Sequence, residues 1–246
     1  MTLKIREFYS PNFNIIPRKK RSIKFVIFHY TGMKSEKAAL NRLTKIQSQV
    51  SAHYFIKKNG NILRMVPDLY VAWHAGFSQW GNEILLNKSS IGIEISNPGH
   101  LNGYVNFSKK QVQSIIKLTK SLIKKYNIKK NNILGHGDVS PDRKKDPGEK
   151  FPWKILSDYN IGLWHQLKDN KLKTLRKKNV SLKEKKLFIN NLIKIGYPKI
   201  SKIIDKKEKY QIYLIRAFQR RFRPQLVNGK IDQECLIILN KIRTFY

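Results

Sequence analysis

The run Lys24-Phe25-Val26-Ile27-Phe28-His29 constrains the fold most. Its apolar stretch, Phe25 to Phe28, is far too short for a membrane span or the core of an export signal. A short continuous apolar run suits a strand covered on both faces. The run ends at His29-Tyr30-Thr31-Gly32, so an imidazole stands where the strand opens into a loop. Ile91-Gly92-Ile93-Glu94-Ile95 is a second strand, of alternating kind. Its isoleucines share one face, and Gly92 and Glu94 share the other. With the isoleucines on a core, Glu94 faces outwards, with open space over Gly92.

Local signals place the remaining elements. Residues up to about Arg21 are basic and contain proline, and are expected to lie over the surface. Ser35 can cap a helix through Ala38, Ala39 and Leu43. Asn59-Gly60 between two apolar-rich runs signals a hairpin. His53, at the start of that hairpin, either makes a structural hydrogen bond or lines a site. Ala72-Trp73-His74-Ala75-Gly76 reads as a small aromatic loop, suited to one wall of a groove. Ser108 and Gln111 form a capping box ahead of Val112, Ile115, Ile116, Thr119, Leu122, Ile123 and Tyr126 at helical spacing. Asn132-Ile133-Leu134 is a short strand, and Phe151 to about Leu167 reads as a closing helix with Pro152 in its first turn.

Lys168 to Val180 is polar and basic without apolar periodicity, and is expected to be a linker. A second capping box, Ser181 with Glu184, starts a helix that stops at Gly196. Tyr210, Tyr213, Leu214, Ala217, Phe218 and Phe222 mark another helix, and Asp232 can cap a third. The expected organisation is a main domain over residues 1–170, a basic linker over 171–180 and a small three-helix domain over 181–246.

The chemistry concentrates between Gly135 and Trp153, in a stretch dense in glycine and proline that reads as an ordered loop. His136 and Asp146 are both good zinc ligands, and a loop can bend them towards one ion, although such a pair also serves simply to satisfy turns. A catalytic zinc takes three protein ligands and leaves one position for water, which makes His29 the best third candidate. Cys235 is the one cysteine, so neither an intrachain disulfide nor a thiolate-rich zinc site is possible.

Lys plus Arg number 50 against 16 acids, giving a formal charge of +34. Such a field attracts nucleic acid, an anionic membrane face or an acidic polymer. The lysines are spread through the chain rather than gathered in a patch, which a general bias towards Lys, Ile and Asn also explains. No nucleic-acid-binding motif or stacking platform is evident, so nucleic acid is not expected as a partner.

Phe28-His29-Tyr30-Thr31, Val50-Ser51-Ala52-His53-Tyr54, Trp73-His74-Ala75-Gly76, Ile91-Gly92-Ile93-Glu94-Ile95 and Gly135-His136 through Asp146-Pro147-Gly148 occur in that order. In this the chain resembles the zinc-dependent N-acetylmuramoyl-L-alanine amidases of the AmiD and AmpD type, over roughly residues 20–170. The resemblance implies an α/β fold, a mixed β-sheet flanked by helices, shared with phage lysozyme-type amidases and peptidoglycan-recognition proteins. It implies one zinc ion on His29, His136 and Asp146, Glu94 handling the proton of the attacking water, and Lys144, rather than Lys145, stabilising the oxyanion. Arg143, His53, Trp73 and His74 are the expected substrate contacts, Arg143 towards a stem-peptide carboxylate. The tail, with Gly196-Tyr197 and Ala217-Phe218-Gln219-Arg220-Arg221-Phe222-Arg223-Pro224, is similar to the peptidoglycan-binding module of AmiD-type enzymes.

The implied substrate is peptidoglycan or its muropeptide and anhydro-muropeptide fragments. The competing expectation on the same fold is a non-catalytic peptidoglycan-recognition protein. The implied location is the periplasm or cell envelope of a bacterium, with the cytoplasm as alternative because no export signal or lipid-anchor cysteine is visible. No membrane span is expected, and the oligomeric state is left open.

Overall fold

The computed structural model describes residues 3–199 and 206–246. The strands are β1 (Ile5–Glu7), β2 (Phe13–Asn14), β3 (Phe25–Tyr30), β4 (Tyr54–Ile56), β5 (Ile62–Arg64), β6 (Val71–Ala72), β7 (Gln79–Trp80), β8 (Glu83–Ile84), β9 (Ser90–Ile95) and β10 (Ile133–Gly135). The helices are α1 (Glu36–Thr44), α2 (Lys109–Tyr126), α3 (His136–Val139), α4 (Trp153–Asp158), α5 (Asp169–Leu175), α6 (Leu182–Lys194), α7 (Lys207–Phe222) and α8 (Gln233–Arg243).

Six strands form one mixed sheet in the order β1-β5-β4-β9-β3-β10. Only the β4–β5 hairpin is antiparallel within it. The apolar run of β3 lies at depth as its composition requires, with Val26, Ile27 and Phe28 wholly buried. Alternation sorts the hairpin between two layers. Phe55 and Leu63 meet Ala39 and Leu43 of α1, whereas Tyr54, Ile56 and Ile62 join the main core with Ile115, Leu118 and Leu122 of α2. Each such aliphatic side chain contributes about 1.5–3 kcal/mol when fully buried. The α2 capping box forms as its sequence signals, with Ser108 Oγ accepting from Gln111 N (3.1 Å) and Gln111 Oε1 from Ser108 N (3.0 Å).

Register places the chemistry on one face. Ladder partners point the same way, and β9 pairs His29 with Glu94 and β4 pairs Phe55 with Glu94. His29 and Glu94 therefore stand side by side on the α1 face.

Four local expectations change. The N-terminal segment is not merely draped over the surface: β1 pairs with β5 and β2 with β6, which occupies backbone groups an edge strand would otherwise leave open. The Gly135–Trp153 stretch starts with the helical turn α3, because Asp138 Oδ2 accepts from Gly135 N (2.8 Å) as in a capping box. The closing helix is only α4; left-handed Asn160 and Gly162 end it. Within the expected linker, Asp169–Leu175 is helical and buries Leu172, and Arg176 makes two 2.7 Å bonds to Glu234 of α8. A single buried leucine leaves no periodicity to read.

The tail helices α6, α7 and α8 form where capping and spacing predict. Their core is continuous with that of the sheet through Trp80, Trp153, Trp164, Tyr197 and Phe222. Tyr197 packs on Trp80 with ring centroids 4.9 Å apart, and Gly81 N–H donates to Gly196 O (2.7 Å). A Cβ at position 196 would lie 2.5 Å from the Trp80 ring, so this approach requires glycine. Arg221 of α7 reaches across to β10 and α3. Its Nη1 lies 2.5 Å from Asp138 Oδ2, its Nη2 donates to Ile133 O (2.8 Å), and Tyr197 Oη donates to Asp138 Oδ1 (2.9 Å).

Candidate active site

His29 is the penultimate residue of β3, His136 begins α3 directly after the neighbouring edge strand β10, and Asp146 lies on the following loop. Gly137 N–H donates to Asp146 O (2.7 Å), which pins the aspartate segment beside His136. On its far side, Tyr104 Oη donates to Pro147 O (2.6 Å). The result is a convergence of three buried ligand atoms. His29 Nδ1 and His136 Nδ1 are 2.9 Å apart, and each is 3.1 Å from Asp146 Oδ2.

This spacing suits one small cation. Tetrahedral bonds of about 2.0–2.1 Å hold ligand atoms about 3.3 Å apart. His136 Nε2 lies 3.1 Å from Ala75 O, a carbonyl that can only accept, so the ring's proton is on Nε2 and its Nδ1 lone pair is free. Two imidazoles and a carboxylate form a donor set that favours zinc. Burial, with His136 alongside, lowers the His29 pKa to about 4. For Asp146, burial acts upwards, but the adjoining His136 and His29 more than offset it and hold the carboxyl well below the usual range. Near neutral pH both groups are thus free to donate electrons.

Glu94 is partly buried, and its Oε2 is buried without a hydrogen-bond partner among the described residues. Burial and the nearby Asp146 raise its pKa to about 8, with Lys144 acting the other way. An unpartnered carboxylate oxygen is costly to bury, and here it is poised for a water or a substrate group. Lys144 is partly exposed and its charge bears on both His29 and Glu94, whereas Lys145 is exposed.

The expected substrate contacts fare differently. His53 is wholly buried, accepts from Gly92 N–H at Nδ1 (3.0 Å) and reaches Tyr70 O with Nε2 (3.0 Å). It therefore braces β9 and offers no surface to a ligand, which corrects the expectation of a substrate contact. Arg143 Nη2 is directed at the carbonyls of Ala75 and Phe77 and at Ser140 Oγ (2.9 Å), stitching the aromatic loop to α3. Trp73 is partly buried, and its indole N–H donates to Asn14 Oδ1 (2.6 Å). His74 fills the space over Gly92 that the strand pattern left open; a Cβ on Gly92 would lie 2.4 Å from its ring.

Other participants escaped the sequence reading. Asn87 Oδ1 accepts from His74 N (3.1 Å) and Ala75 N (2.7 Å), and no local pattern marks it. Asp138 could have been found, since an acid at the third position of a helical turn can accept from the N–H of the residue before the turn.

Residues 19–149 match the family of N-acetylmuramoyl-L-alanine amidases. The chain belongs to that family. AmiD of Escherichia coli K12 is 34% identical over 236 residues, covering 91% of this chain and 83% of that protein. An E. coli AmiD structure in complex with anhydro-N-acetylmuramic acid-L-Ala-D-gamma-Glu-L-Lys superposes with a TM-score of 0.79 at 32% identity, covering 95% of this chain and 92% of the other. AmpDh3 from Pseudomonas aeruginosa, solved with an anhydromuramic pentapeptide, gives a TM-score of 0.76 at 28% identity, covering 94% and 95%. The similarity extends beyond the amidase sheet into the tail, and the mixed sheet flanked by helices is the fold of these amidases.

Proposed function

We propose that this amidase cleaves the amide joining the lactyl group of N-acetylmuramic acid to the L-alanine of a stem peptide, using one zinc ion held by His29, His136 and Asp146. The convergence of those three ligand atoms beside an unpartnered Glu94 oxygen carries the reading. It also favours catalysis over mere recognition, because recognition alone needs neither the ligand set nor a buried carboxylate without a partner. Zinc held by these residues would supply Lewis acidity for the hydrolysis. Glu94, which a cation at the neighbouring cluster would return to its ionised form from a pKa raised to about 8, takes the proton of the attacking water and later delivers it to the leaving amine. Lys144 offsets negative charge developing on the former carbonyl oxygen. Trp73 offers its partly exposed ring to the substrate.

Peptidoglycan fragments are the substrate class, in line with the muropeptide ligands of the AmiD and AmpDh3 structures. The reading assigns residues 181–246 to wall binding and residues 1–170 to catalysis, and puts the enzyme's work in the bacterial envelope. No helix among the described residues is long and apolar enough to cross a membrane. The test is incubation with purified muropeptides and with sacculi, with and without added zinc after chelation. Mass spectrometry should show free stem peptide appearing with zinc and absent from His136→Ala. Release of stem peptide by the fully chelated enzyme refutes the metal role; no release under any loading refutes the activity.

A further inference from the structure

The WHAG loop, Trp73-His74-Ala75-Gly76, touches both imidazoles of the ligand cluster from outside. Ala75 O receives His136 Nε2, as described. On the other side, His74 Nδ1 lies 3.1 Å from His29 Nε2, and His74 Nε2 lies 3.1 Å from Ser90 Oγ.

The direction of every proton in this chain can be worked out from its far end. Ser90 Oγ lies 2.5 Å from Leu86 O, a carbonyl that can only accept. The single hydroxyl proton is therefore committed to Leu86, and Ser90 presents a lone pair to His74. His74 Nε2 must be the donor in that contact. A neutral imidazole has one N–H, so His74 Nδ1 is an acceptor. His29 Nε2 must then donate to it, which leaves the lone pair of His29 Nδ1 facing His136 and Asp146. The opposite tautomer of His29 would put a proton into the ligand cluster and two bare nitrogens against each other.

The chain is also held mechanically. The His74 ring rests on Gly92, and its backbone N–H and that of Ala75 share Asn87 Oδ1. Leu86 and Asn87 belong to one short turn, Leu86–Lys88, immediately before β9. A single turn thus orients the outer partners of both histidine ligands.

We propose that His74, oriented by Ser90 and the Leu86 carbonyl, is a positioning residue that fixes His29 as its Nε2–H tautomer and so aims its Nδ1 lone pair at the metal position. In its consequence for metal this rests on the zinc reading above; in metal-free protein the Asp146 carboxylate, 3.1 Å from His29 Nδ1 and able only to accept, competes with His74 for the same proton, and the tautomer reports the balance of the two sides. Groups that orient a metal-bound histidine typically contribute 10–100-fold to affinity.

The test uses the full chain. Zinc dissociation constants are measured by competition with a chromophoric chelator for wild type, His74→Leu, His74→Asn and Ser90→Ala. His74→Leu removes the acceptor and should weaken zinc by about 10–100-fold. His74→Asn keeps a side-chain carbonyl as acceptor and should recover to within a few-fold of wild type. Ser90→Ala releases the His74 proton and should fall between. In metal-free protein, nitrogen-15 imidazole spectra should show His29 protonated on Nε2 in wild type and a tautomer mixture in Ser90→Ala. A merely structural role would not move that spectrum. Unchanged zinc affinity in His74→Leu and Ser90→Ala overturns the proposal, as does a wild-type His29 carrying its proton on Nδ1. Should the leucine variant not fold, Ser90→Ala and the wild-type spectrum still decide. Wild type that binds no zinc refutes the metal reading instead, while the spectrum continues to judge the tautomer.

Discussion

Arg221→Met isolates the attachment of the tail to the turn that carries His136. The Arg221 and Asp138 side chains are 3% and 4% exposed, with their charged atoms 2.5 Å apart. Methionine keeps an apolar stem beside Trp153, whose ring centroid lies 4.2 Å from the guanidinium carbon, but it leaves Asp138 charged and buried. Among the described residues, only Tyr197 Oη and Gly135 N–H then remain as its donors. Ile133 O loses its partner as well. Removing one member of a buried ion pair costs about 3–5 kcal/mol, because the other charge stays desolvated. At roughly 2–4 °C per kcal/mol for a chain of this size, the melting temperature should drop on the order of 10 °C. Asp138→Asn with Arg221→Met removes both charges, so the double variant should be more stable than the sum of the single losses by about 1–3 kcal/mol. Urea unfolding, followed by circular dichroism and tryptophan fluorescence in the same samples, measures all four proteins. A loss below about 1 kcal/mol for Arg221→Met, or additive single variants, would refute the strut. Because Asp138 caps the residue before His136, the same variant should also weaken zinc binding.

Glu94→Gln should retain zinc and fold while turnover drops by about a hundredfold or more, since an amide cannot accept the proton; near-normal activity removes Glu94 from the mechanism. The pKa of Glu94 is raised in the folded state to about 8, so the folded chain holds a proton that the unfolded chain releases near 4.5. Stability of metal-free wild type should therefore fall as pH rises from about 6.5 to about 8, and Glu94→Gln should be flat there, as melting temperatures would show. Below that window His29 and His53, lowered to about 4 and about 3, act in the opposite sense: their burial as neutral rings makes stability fall on acidification. Lys144→Ala should lower kcat about a hundredfold with little change in zinc affinity, whereas Lys145→Ala should be nearly silent; equal effects would overturn the choice between them. A chain ending near residue 170 lacks Arg221, so it should unfold more easily than the full chain as well as pellet less with sacculi; unchanged stability would show the tail to be a mere appendage.

What the sequence determined by itself was local. The burial of β3, the Asn59-Gly60 hairpin and the capping boxes at Ser108 and Ser181 follow from interactions among residues a few positions apart, which periodicity and turn chemistry report directly. His29, His136 and Asp146 were legible as candidates because few side chains bind zinc, and family order selected among them. Tertiary structure decided the rest, because each remaining role depends on a partner far along the chain. His53 and His74 look alike in sequence, yet one is locked onto β9 and the other bridges Ser90 and His29. Arg143 reads from the sequence as a carboxylate ligand, and only the fold shows its Nη2 directed at the Ala75 and Phe77 carbonyls. In Gln219-Arg220-Arg221-Phe222-Arg223 the arginines are equivalent as charges. Only the packing of α7 buries Arg221 against Asp138, 83 residues away, and sends Arg223 to Asp232 and Glu234 within the tail. A chain of charge +34 conceals such differences, since the identity of a buried cation is set by the carboxylate it meets and not by the lysines and arginines beside it.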